Sequence, residues 1–193
     1  MNILVTGGTG FVGRHLVEAL QAEGHRVHLL VRDEKRLAAC RFASPPGLVH
    51  GDLFASAPFP PGIETVFHLA AVTKELGAGE FERVNVAGTG ALLERLRPLP
   101  GLRRVLLLSS LAAAGPGRSA VPLQESDPPS PVSRYGRSKL AQERELAGRS
   151  RRRGRSSARP SSSDPATWTC WTCSASSPAG SPRGWGGRSA GIR

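Results

Sequence analysis

The chain has 193 residues, the length of one domain or slightly more. It carries 26 Lys and Arg against 15 Asp and Glu, a formal net charge of +11, which by itself favours nucleic acid or an anionic membrane surface as partner. The excess is uneven, because residues 1–148 hold 17 basic and 14 acidic side chains whereas residues 149–193 hold 9 and 1. No run of about 20 apolar residues occurs, which excludes a membrane-spanning helix.

The first residues and the cysteine usage predict a cytoplasmic location. Met1 is followed at once by the strand-like Ile3-Leu4-Val5, without the basic region and apolar stretch of a secretory signal. Cys40 is the single cysteine of residues 1–148, which argues against a disulfide framework and fits a reducing compartment.

Apolar periodicity predicts strands that alternate with helices. A strand at Asn2–Thr6 leads through glycines into a helix at Phe11–Glu23, and a second strand follows at Arg26–Val31. Further strands are predicted at 48–50, 65–69 and 104–109, with helices at 81–96 and 133–148. This alternation predicts an α/β fold with a doubly wound parallel sheet.

The glycines between the first strand and the first helix predict a dinucleotide-binding turn of the Rossmann type. Gly7 permits a tight turn, Gly10 lets a pyrophosphate approach the backbone, and Gly13 lets the helix pack close to the sheet. Helix-terminal N–H groups would then hold the phosphates. The alternative is an ordinary loop, and the position directly after a strand favours the cofactor.

The end of the second strand bears on the choice between NAD and NADP. Arg32 suits a 2′-phosphate, and Lys35 and Arg36 lie close by in the sequence, so we favour NADP over NAD. Asp33, which could bind a ribose hydroxyl, is the residue that would favour NAD. The alternative for this segment is a solvated helix start with Asp33 as its cap.

A second constellation follows the strand at 104–109. Tyr135 and Lys139 are four residues apart on a predicted helix, so phenol and ammonium share one face, and a neighbouring cation favours a phenolate. Ser109 and Ser110 end the preceding strand. Taken singly, Tyr135 would be a surface aromatic and Lys139 a solvated helix residue; the combination favours acid–base chemistry.

These motifs resemble those of the extended short-chain dehydrogenase/reductase family, the NAD-dependent epimerase/dehydratase group, over residues 1–148. The matching segments are the glycine turn Thr6–Gly13, Gly51-Asp52-Leu53, His68-Leu69-Ala70-Ala71, Val84–Thr89 with Asn85, Ser109-Ser110, and Tyr135 with Lys139.

The resemblance implies a role for each matching residue. Tyr135 would be the general acid/base, Lys139 would lower its pKa and bind the nicotinamide ribose, and Ser110 would hydrogen-bond the substrate oxygen. Hydride would pass between the substrate carbon and the nicotinamide. The implied cofactor-binding residues are Gly7, Gly10, Phe11, Val12, Gly13, Arg32, Asp52, Leu53, Ala70, Ala71, Asn85, Tyr135 and Lys139; no metal site is implied.

The resemblance also bounds the substrate and the assembly. The segments Val31-Arg32-Asp33 and Ser109–Pro116 are closer to the 3β-hydroxysteroid dehydrogenase and dihydroflavonol reductase branch than to the sugar epimerases. Ala113-Ala114-Gly115 stands where many relatives have Val-Tyr-Gly, and this departure weakens a nucleotide-sugar assignment. The expected substrate is a small molecule, a sugar nucleotide, a sterol or another hydroxy or keto compound. Relatives dimerise through the helices matching 81–96 and 133–148, so a homodimer is one expectation.

The region 149–193 has a different composition and no apolar period, and it is expected to be disordered. Cys170-Trp171-Thr172-Cys173 has no second ligand pair for zinc, so a functional role is disfavoured. The five histidines show no ligand spacing and are expected at helix, strand or core positions. The arginines of 151–159 resemble a nucleic-acid tail, a role we disfavour.

A change of reading frame accounts for this tail. Relatives continue past the tyrosine helix with a strand and a Gly-Pro-Gly-Asp segment. Codons for Asp164–Cys173 can be chosen so that the next frame encodes Pro-Gly-Asp-Val-Asp-Met-Leu-Asp-Met. The hypothesis is a frame change near residues 149–154, which would leave the fifth strand with an unpaired edge and the chain an incomplete fragment with little activity.

The sequence thus predicts a dinucleotide-binding domain at 1–148 and a basic tail at 149–193. The first hypothesis is an NAD(P)-dependent oxidoreductase or epimerase-type enzyme. The alternatives are a non-catalytic dinucleotide-binding or sensor protein and, less favoured, a basic-tailed nucleic-acid binder.

Overall fold

A computed structural model describes residues 1–117, 122–153 and 167–171 of the chain. The strands are β1 (Asn2–Thr6), β2 (Arg26–Val31), β3 (Gly47–His50), β4 (Thr65–His68), β5 (Arg104–Leu108) and β6 (Thr167–Trp171). The helices are α1 (Phe11–Ala22), α2 (Glu34–Ala38), α3 (Gly88–Leu96), α4 (Leu111–Ala114) and α5 (Arg134–Arg153), and a π-helical segment, Glu82–Ala87, leads directly into α3.

The six strands form one sheet in the order β3-β2-β1-β4-β5-β6, and every pairing is parallel. The chain builds outward from β1 to β3, then returns to the other side of β1 with β4. The strand order therefore reverses between β1 and β4. In open parallel sheets, ligands bind in the crevice beyond the carboxyl ends of the strands at this reversal.

Helices cover both faces of the sheet, so its central strands are buried on both sides, as is usual for a parallel sheet. Ile3 and Val5 of β1 pack with Val17 of α1 and with β2 in one cluster, whereas Leu4 faces the opposite cluster with α3 and β5. The predicted α/β fold with a doubly wound parallel sheet is confirmed.

The strand and helix boundaries follow the periodicity closely, and the short helices α2 and α4 are additional to the helices predicted from periodicity. The strands at Asn2–Thr6 and Arg26–Val31 begin and end where they were predicted. Helix α4 was not predicted because its four residues are too few to show a period. Helix α2 follows Asp33, which the capping alternative anticipated.

The expectation for the tail is wrong at two places. Helix α5 continues to Arg153, and β6 pairs with β5 from Arg104↔Thr167 to Leu108↔Trp171, so the expected unpaired edge of β5 is covered. The segment Thr-Trp-Thr-Cys-Trp consists mostly of β-branched and aromatic residues, which favour strands, and the outer edge of β5 offers it a backbone partner. The rest of the predicted disordered tail, residues 154–166 and 172–193 with Cys173, lies outside the described residues.

No helix within the described ranges combines the length and the apolar character that crossing a bilayer requires.

Candidate functional site

The turn after β1 lies at the carboxyl edge of the sheet and depends on its glycines. Gly7 has φ +73°, and a Cβ there would lie 2.7 Å from the backbone nitrogen of Ala70. A Cβ on Gly13 would lie 2.2 Å from the Gly7 carbonyl oxygen, whereas one on Gly10 would lie 3.2 Å from that same oxygen. Gly7 and Gly13 are therefore required by the fold itself, and Gly10 leaves bare backbone at the surface of the turn.

A cleft of about 240 Å³ opens beside this turn, where the strand order reverses. Its walls come from the ends of β1, β2 and β4 and from the loops that follow β3 and β4. The lining residues are Thr6, Gly7, Thr9, Gly10, Leu30, Arg32, Asp33, Arg36, Gly51, Asp52, Leu53, Phe54, Leu69, Ala70, Ala71, Val72, Arg83 and Val84.

The end of the cleft next to β2 carries charged side chains, two guanidinium groups and the carboxylate of Asp33. Arg32 and Arg36 both line it. Asp33 caps α2, because its Oδ1 accepts hydrogen bonds from the backbone N–H groups of Lys35 (3.0 Å) and Arg36 (3.4 Å). These two hydrogen bonds confirm the capping alternative for Asp33.

Asp52 holds the loop after β3 in shape at the cleft wall. Its Oδ1 accepts hydrogen bonds from the N–H groups of Phe54 (2.8 Å) and Ala55 (2.9 Å). The pKa of Asp52 lies below its usual value, chiefly because of the Ala55 hydrogen bond, with further contributions from Phe54 and from the charges of Arg32 and Arg95. Asp52 is therefore an ionised acceptor at neutral pH.

Ser110 precedes α4, whereas Tyr135 and Lys139 lie on α5, which packs closely on α4. Gly136 makes this contact possible, since a Cβ there would lie 2.1 Å from the Ala112 carbonyl oxygen. Ser110 caps α4 and its Oγ accepts the Ala112 N–H at 3.2 Å, while Tyr135 is half-buried with its ring 5.8 Å from that of Phe81.

Lys139 is buried and only 2 % exposed. Its Nζ donates to the carbonyl oxygen of Leu108 at the end of β5 (2.8 Å) and to Oε1 of Gln142. Both acceptors stabilise the buried charge, which would otherwise be costly to remove from water.

Asn85 is fully buried in the π-helical segment and joins two walls of the site. Its Oδ1 accepts the Val72 N–H (2.8 Å), and its Nδ2 donates to the Val72 carbonyl (3.1 Å) and to Ser138 Oγ (3.0 Å). The Ser138 hydroxyl in turn donates to the Tyr135 carbonyl (2.8 Å). Asn85 thus fixes the loop after β4 relative to α5.

His68 forms the centre of a buried polar network behind the cleft. Its Nδ1 lies 2.6 Å from Thr6 Oγ1, and its Nε2 lies 2.8 Å from Thr89 Oγ1 and 3.2 Å from Gln142 Nε2. Burial, and secondly the charge of Lys139, lower the pKa of His68 to about 3. The imidazole is therefore neutral at physiological pH.

The residues present fit a dinucleotide. The glycine turn exposes backbone where a Cβ would otherwise stand, Gly10 begins α1, the far end of the cleft carries two guanidinium groups, and Leu53, Phe54 and Val72 give an apolar wall. Pyrophosphate, ribose and adenine have matching properties. Within the described ranges, no group of three or more His, Cys, Asp or Glu side chains is placed to hold a metal ion.

The structure brings the residues predicted for the site into two adjoining regions. Gly7, Gly10, Arg32, Asp52, Leu53, Ala70 and Ala71 line the cleft. Phe11 and Val12 lie at the start of α1 outside the lining, 74 % and 49 % exposed, and Gly13 is buried beneath the turn. Asn85, Ser110, Tyr135 and Lys139 form the second region next to the loop of Ala71 and Val72.

The sequence analysis missed Gln142, which touches both the lysine and the buried histidine. A signal was available, because Gln142 is three residues after Lys139 and seven after Tyr135, and residues at these spacings share one face of a helix.

Comparison with known proteins gives a consistent result. The sequence profile of the NAD dependent epimerase/dehydratase family matches residues 3–158. The chain is 36% identical over 172 residues to D-erythronate dehydrogenase of Cupriavidus necator, covering 79% of this chain and 51% of that protein. It is 35% identical over 154 residues to a UDP-glucose 4-epimerase of Halalkalibacterium halodurans, covering 75% and 45%.

A solved structure with the same fold is a short-chain dehydrogenase/reductase superfamily protein from Agrobacterium tumefaciens with bound NAD. The match has a TM-score of 0.63 and 30% identity, and it covers 78% of this chain and 45% of that one. The chain therefore spans about half the length of the relatives it matches.

Proposed function

The chain belongs to the NAD dependent epimerase/dehydratase family of extended short-chain dehydrogenases/reductases, and we propose that it is the cofactor-binding and acid–base portion of an NAD(P)-dependent oxidoreductase or epimerase-type enzyme. The observation that carries this proposal is the buried Lys139 ammonium at the carboxyl end of β5, one helical turn after Tyr135 and bonded to the Leu108 carbonyl two residues before Ser110.

In this proposal different residues bind different parts of the cofactor. The N–H groups at the start of α1 hold the pyrophosphate, Asp52 and Leu53 face the adenine, and Ala70, Ala71 and Asn85 shape the wall toward the nicotinamide end. The exposed Phe11 and Val12 complete the turn. When bound, the nicotinamide supplies the hydride acceptor or donor.

The proton transfer is assigned to the second region. The Tyr135 phenol exchanges a proton with the substrate oxygen, and Ser110 hydrogen-bonds the same oxygen and orients it. Lys139, one helical turn after Tyr135, stabilises the negative charge on the phenol oxygen after proton loss. The substrate class is a small secondary alcohol or ketone of the sugar, sugar-nucleotide or sterol type.

The cofactor preference is assigned to Arg32. We propose NADP over NAD, because Arg32 and Arg36 line the cleft while Asp33 is engaged as a helix cap. Arg32→Ala is expected to weaken NADP binding about ten-fold or more, the loss of a charge-assisted hydrogen bond, and to leave NAD binding nearly unchanged. The matched control is Arg41→Ala outside the cleft lining; equal losses for both cofactors on Arg32→Ala would contradict the assignment.

The tail is proposed to result from a frame change near residues 149–154 that replaced the continuation found in relatives. Sequencing the coding DNA tests this directly, and the idea fails if the other frame does not encode a family-like continuation.

This chain is expected to show little or no turnover, whereas a frame-restored chain is expected to oxidise or reduce its substrate and to lose this activity on Tyr135→Phe. Full activity of the Tyr135→Phe variant would contradict the proposed role of the phenol.

A second candidate function is dinucleotide binding without catalysis. It is favoured by the cleft, which residues 6–84 form by themselves, without Ser110, Tyr135 or Lys139. The two functions separate in one comparison, because a sensor binds cofactor without turnover even when the frame is restored.

A further inference from the structure

The Lys139 ammonium has a side-chain acceptor that its proposed role does not explain. Of its partners, the Leu108 carbonyl belongs to the backbone of β5, whereas Oε1 of Gln142 belongs to a side chain one turn further along α5. Gln142 is fully buried. A neutral amide in this position accepts a hydrogen bond from the ammonium without neutralising its charge, whereas a carboxylate would neutralise it.

The orientation of the Gln142 amide is fixed at both ends. Its oxygen faces the ammonium, and its Nε2 donates to Thr89 Oγ1 (2.7 Å) and lies 3.2 Å from His68 Nε2. The reverse orientation would direct an NH₂ group at the ammonium, which carries only donors. Lys139 therefore dictates which way the amide points.

The network continues from Gln142 to the cofactor cleft. His68 bridges Thr89 and Thr6, and Thr6 Oγ1 also accepts the backbone N–H of Ala70 at 3.2 Å. Thr6 and Ala70 both line the cleft. The Thr89 hydroxyl donates to the Asn85 carbonyl (2.6 Å), and this hydrogen bond connects the network to Asn85 in the second region.

We propose that Gln142 is a positioning residue, which fixes the Lys139 ammonium beneath the end of β5 and connects it through Thr89 and His68 to Thr6 of the glycine turn. The proposal rests on the proposed function for the importance of Lys139, but the contact itself is tested without substrate or cofactor. An apolar side chain at this position would remove one acceptor from a buried ammonium and leave Thr89 and His68 without their amide partner.

The test uses the full chain labelled with ¹⁵N at the lysine side chains. The sequence contains three lysines, and Lys35 and Lys74 are exposed, so they serve as internal references for rapid hydrogen exchange. Nuclear magnetic resonance is expected to show one slowly exchanging ammonium signal, identified by its loss in Lys139→Met. Gln142→Leu is expected to speed the exchange of this signal about ten-fold or more, because a hydrogen bond to a charged donor is lost.

Two further variants separate positioning from packing. Gln142→Glu keeps an acceptor for the ammonium and is expected to retain the slow signal. Gln142→Met, a flexible apolar side chain, is expected to behave like Gln142→Leu and replaces it if that variant does not fold. The matched control is Gln21→Leu on α1, which is expected to leave the signal unchanged. An unchanged exchange rate in a folded Gln142→Leu or Gln142→Met variant overturns the proposal, as does loss of the signal in Gln142→Glu.

A separate readout tests the proposed function. Tyr135→Phe in the frame-restored chain is expected to abolish turnover. Retained turnover would contradict the proposed function, whatever the ammonium signal shows for Gln142.

Discussion

Acidification is expected to destabilise the folded chain through His68. The buried imidazole has a pKa of about 3 in the fold, against 6.5 as its ordinary value. The unfolded chain therefore binds a proton that the folded chain does not bind between these two values. The free energy of unfolding is unaffected well above pH 6.5 and falls as the pH drops from 6.5 toward 3.

The size of this effect follows from the two pKa values. Each unit of pH below 6.5 lowers the free energy of unfolding by up to about 1.4 kcal/mol, so the contribution of His68 between pH 7 and pH 5 is about 2 kcal/mol. His28 changes stability in the same direction, because burial and then Arg26 lower its pKa. A variant of His68 alone separates the two contributions.

The assay is urea unfolding followed by far-ultraviolet circular dichroism at both pH values. His68→Gln is expected to be less stable than the wild type at pH 7, since it loses buried hydrogen bonds, but to lose about 2 kcal/mol less between pH 7 and pH 5. The matched control, His15→Gln at an exposed position of α1, is expected to keep the wild-type dependence. The reasoning is refuted if wild type and His68→Gln lose the same stability on acidification.

Two further predictions concern the packing that brings the second region together. Asn85→Ala removes three hydrogen bonds and leaves the half-buried backbone groups of Val72 without this side chain as a partner. The free energy of unfolding in urea is expected to fall by about 3 kcal/mol, and a change below about 1 kcal/mol would contradict the bridging role. Gly136→Ala is expected to destabilise the fold by about 1–3 kcal/mol, because its Cβ would meet the Ala112 carbonyl. Gly148→Ala on the same helix would meet no atom within 4 Å and is expected to stabilise the fold by about 0.5–1 kcal/mol. Thermal unfolding distinguishes the two variants, and equal effects would argue against close packing of α4 on α5.

Local pattern was sufficient to predict the inner strands and the glycine turn. Asn2–Thr6 is apolar, short and followed by glycines. The atoms that a Cβ on Gly7 or Gly13 would meet lie within a few residues along the chain or in the loop after β4. The helix predicted at 81–96 is observed as a π-helical segment followed by α3, a difference that apolar spacing does not encode.

The features that escaped prediction depend on contacts distant in sequence. His68 was expected only as a core histidine or a family match, and its role as a bridge requires Thr6, Thr89 and Gln142 to meet across three elements. The strand β6 forms because β5 offers an edge more than fifty residues earlier in the chain. Neither partner can be identified from the period of a single segment.

Calorimetric titration with NAD and NADP tests the central claim, that the cleft beside the glycine turn binds a dinucleotide. The decisive variant is Gly10→Ala, whose Cβ would lie 3.2 Å from the Gly7 carbonyl oxygen, so that the turn must shift by a few tenths of an ångström, and would occupy the surface proposed for the pyrophosphate. The matched control is Gly77→Ala, which meets no atom within 4 Å. We predict that wild type and Gly77→Ala bind equally and that Gly10→Ala binds about ten-fold or more weakly. Failure of the folded wild type to bind either dinucleotide, or equal binding by Gly10→Ala, would contradict the account.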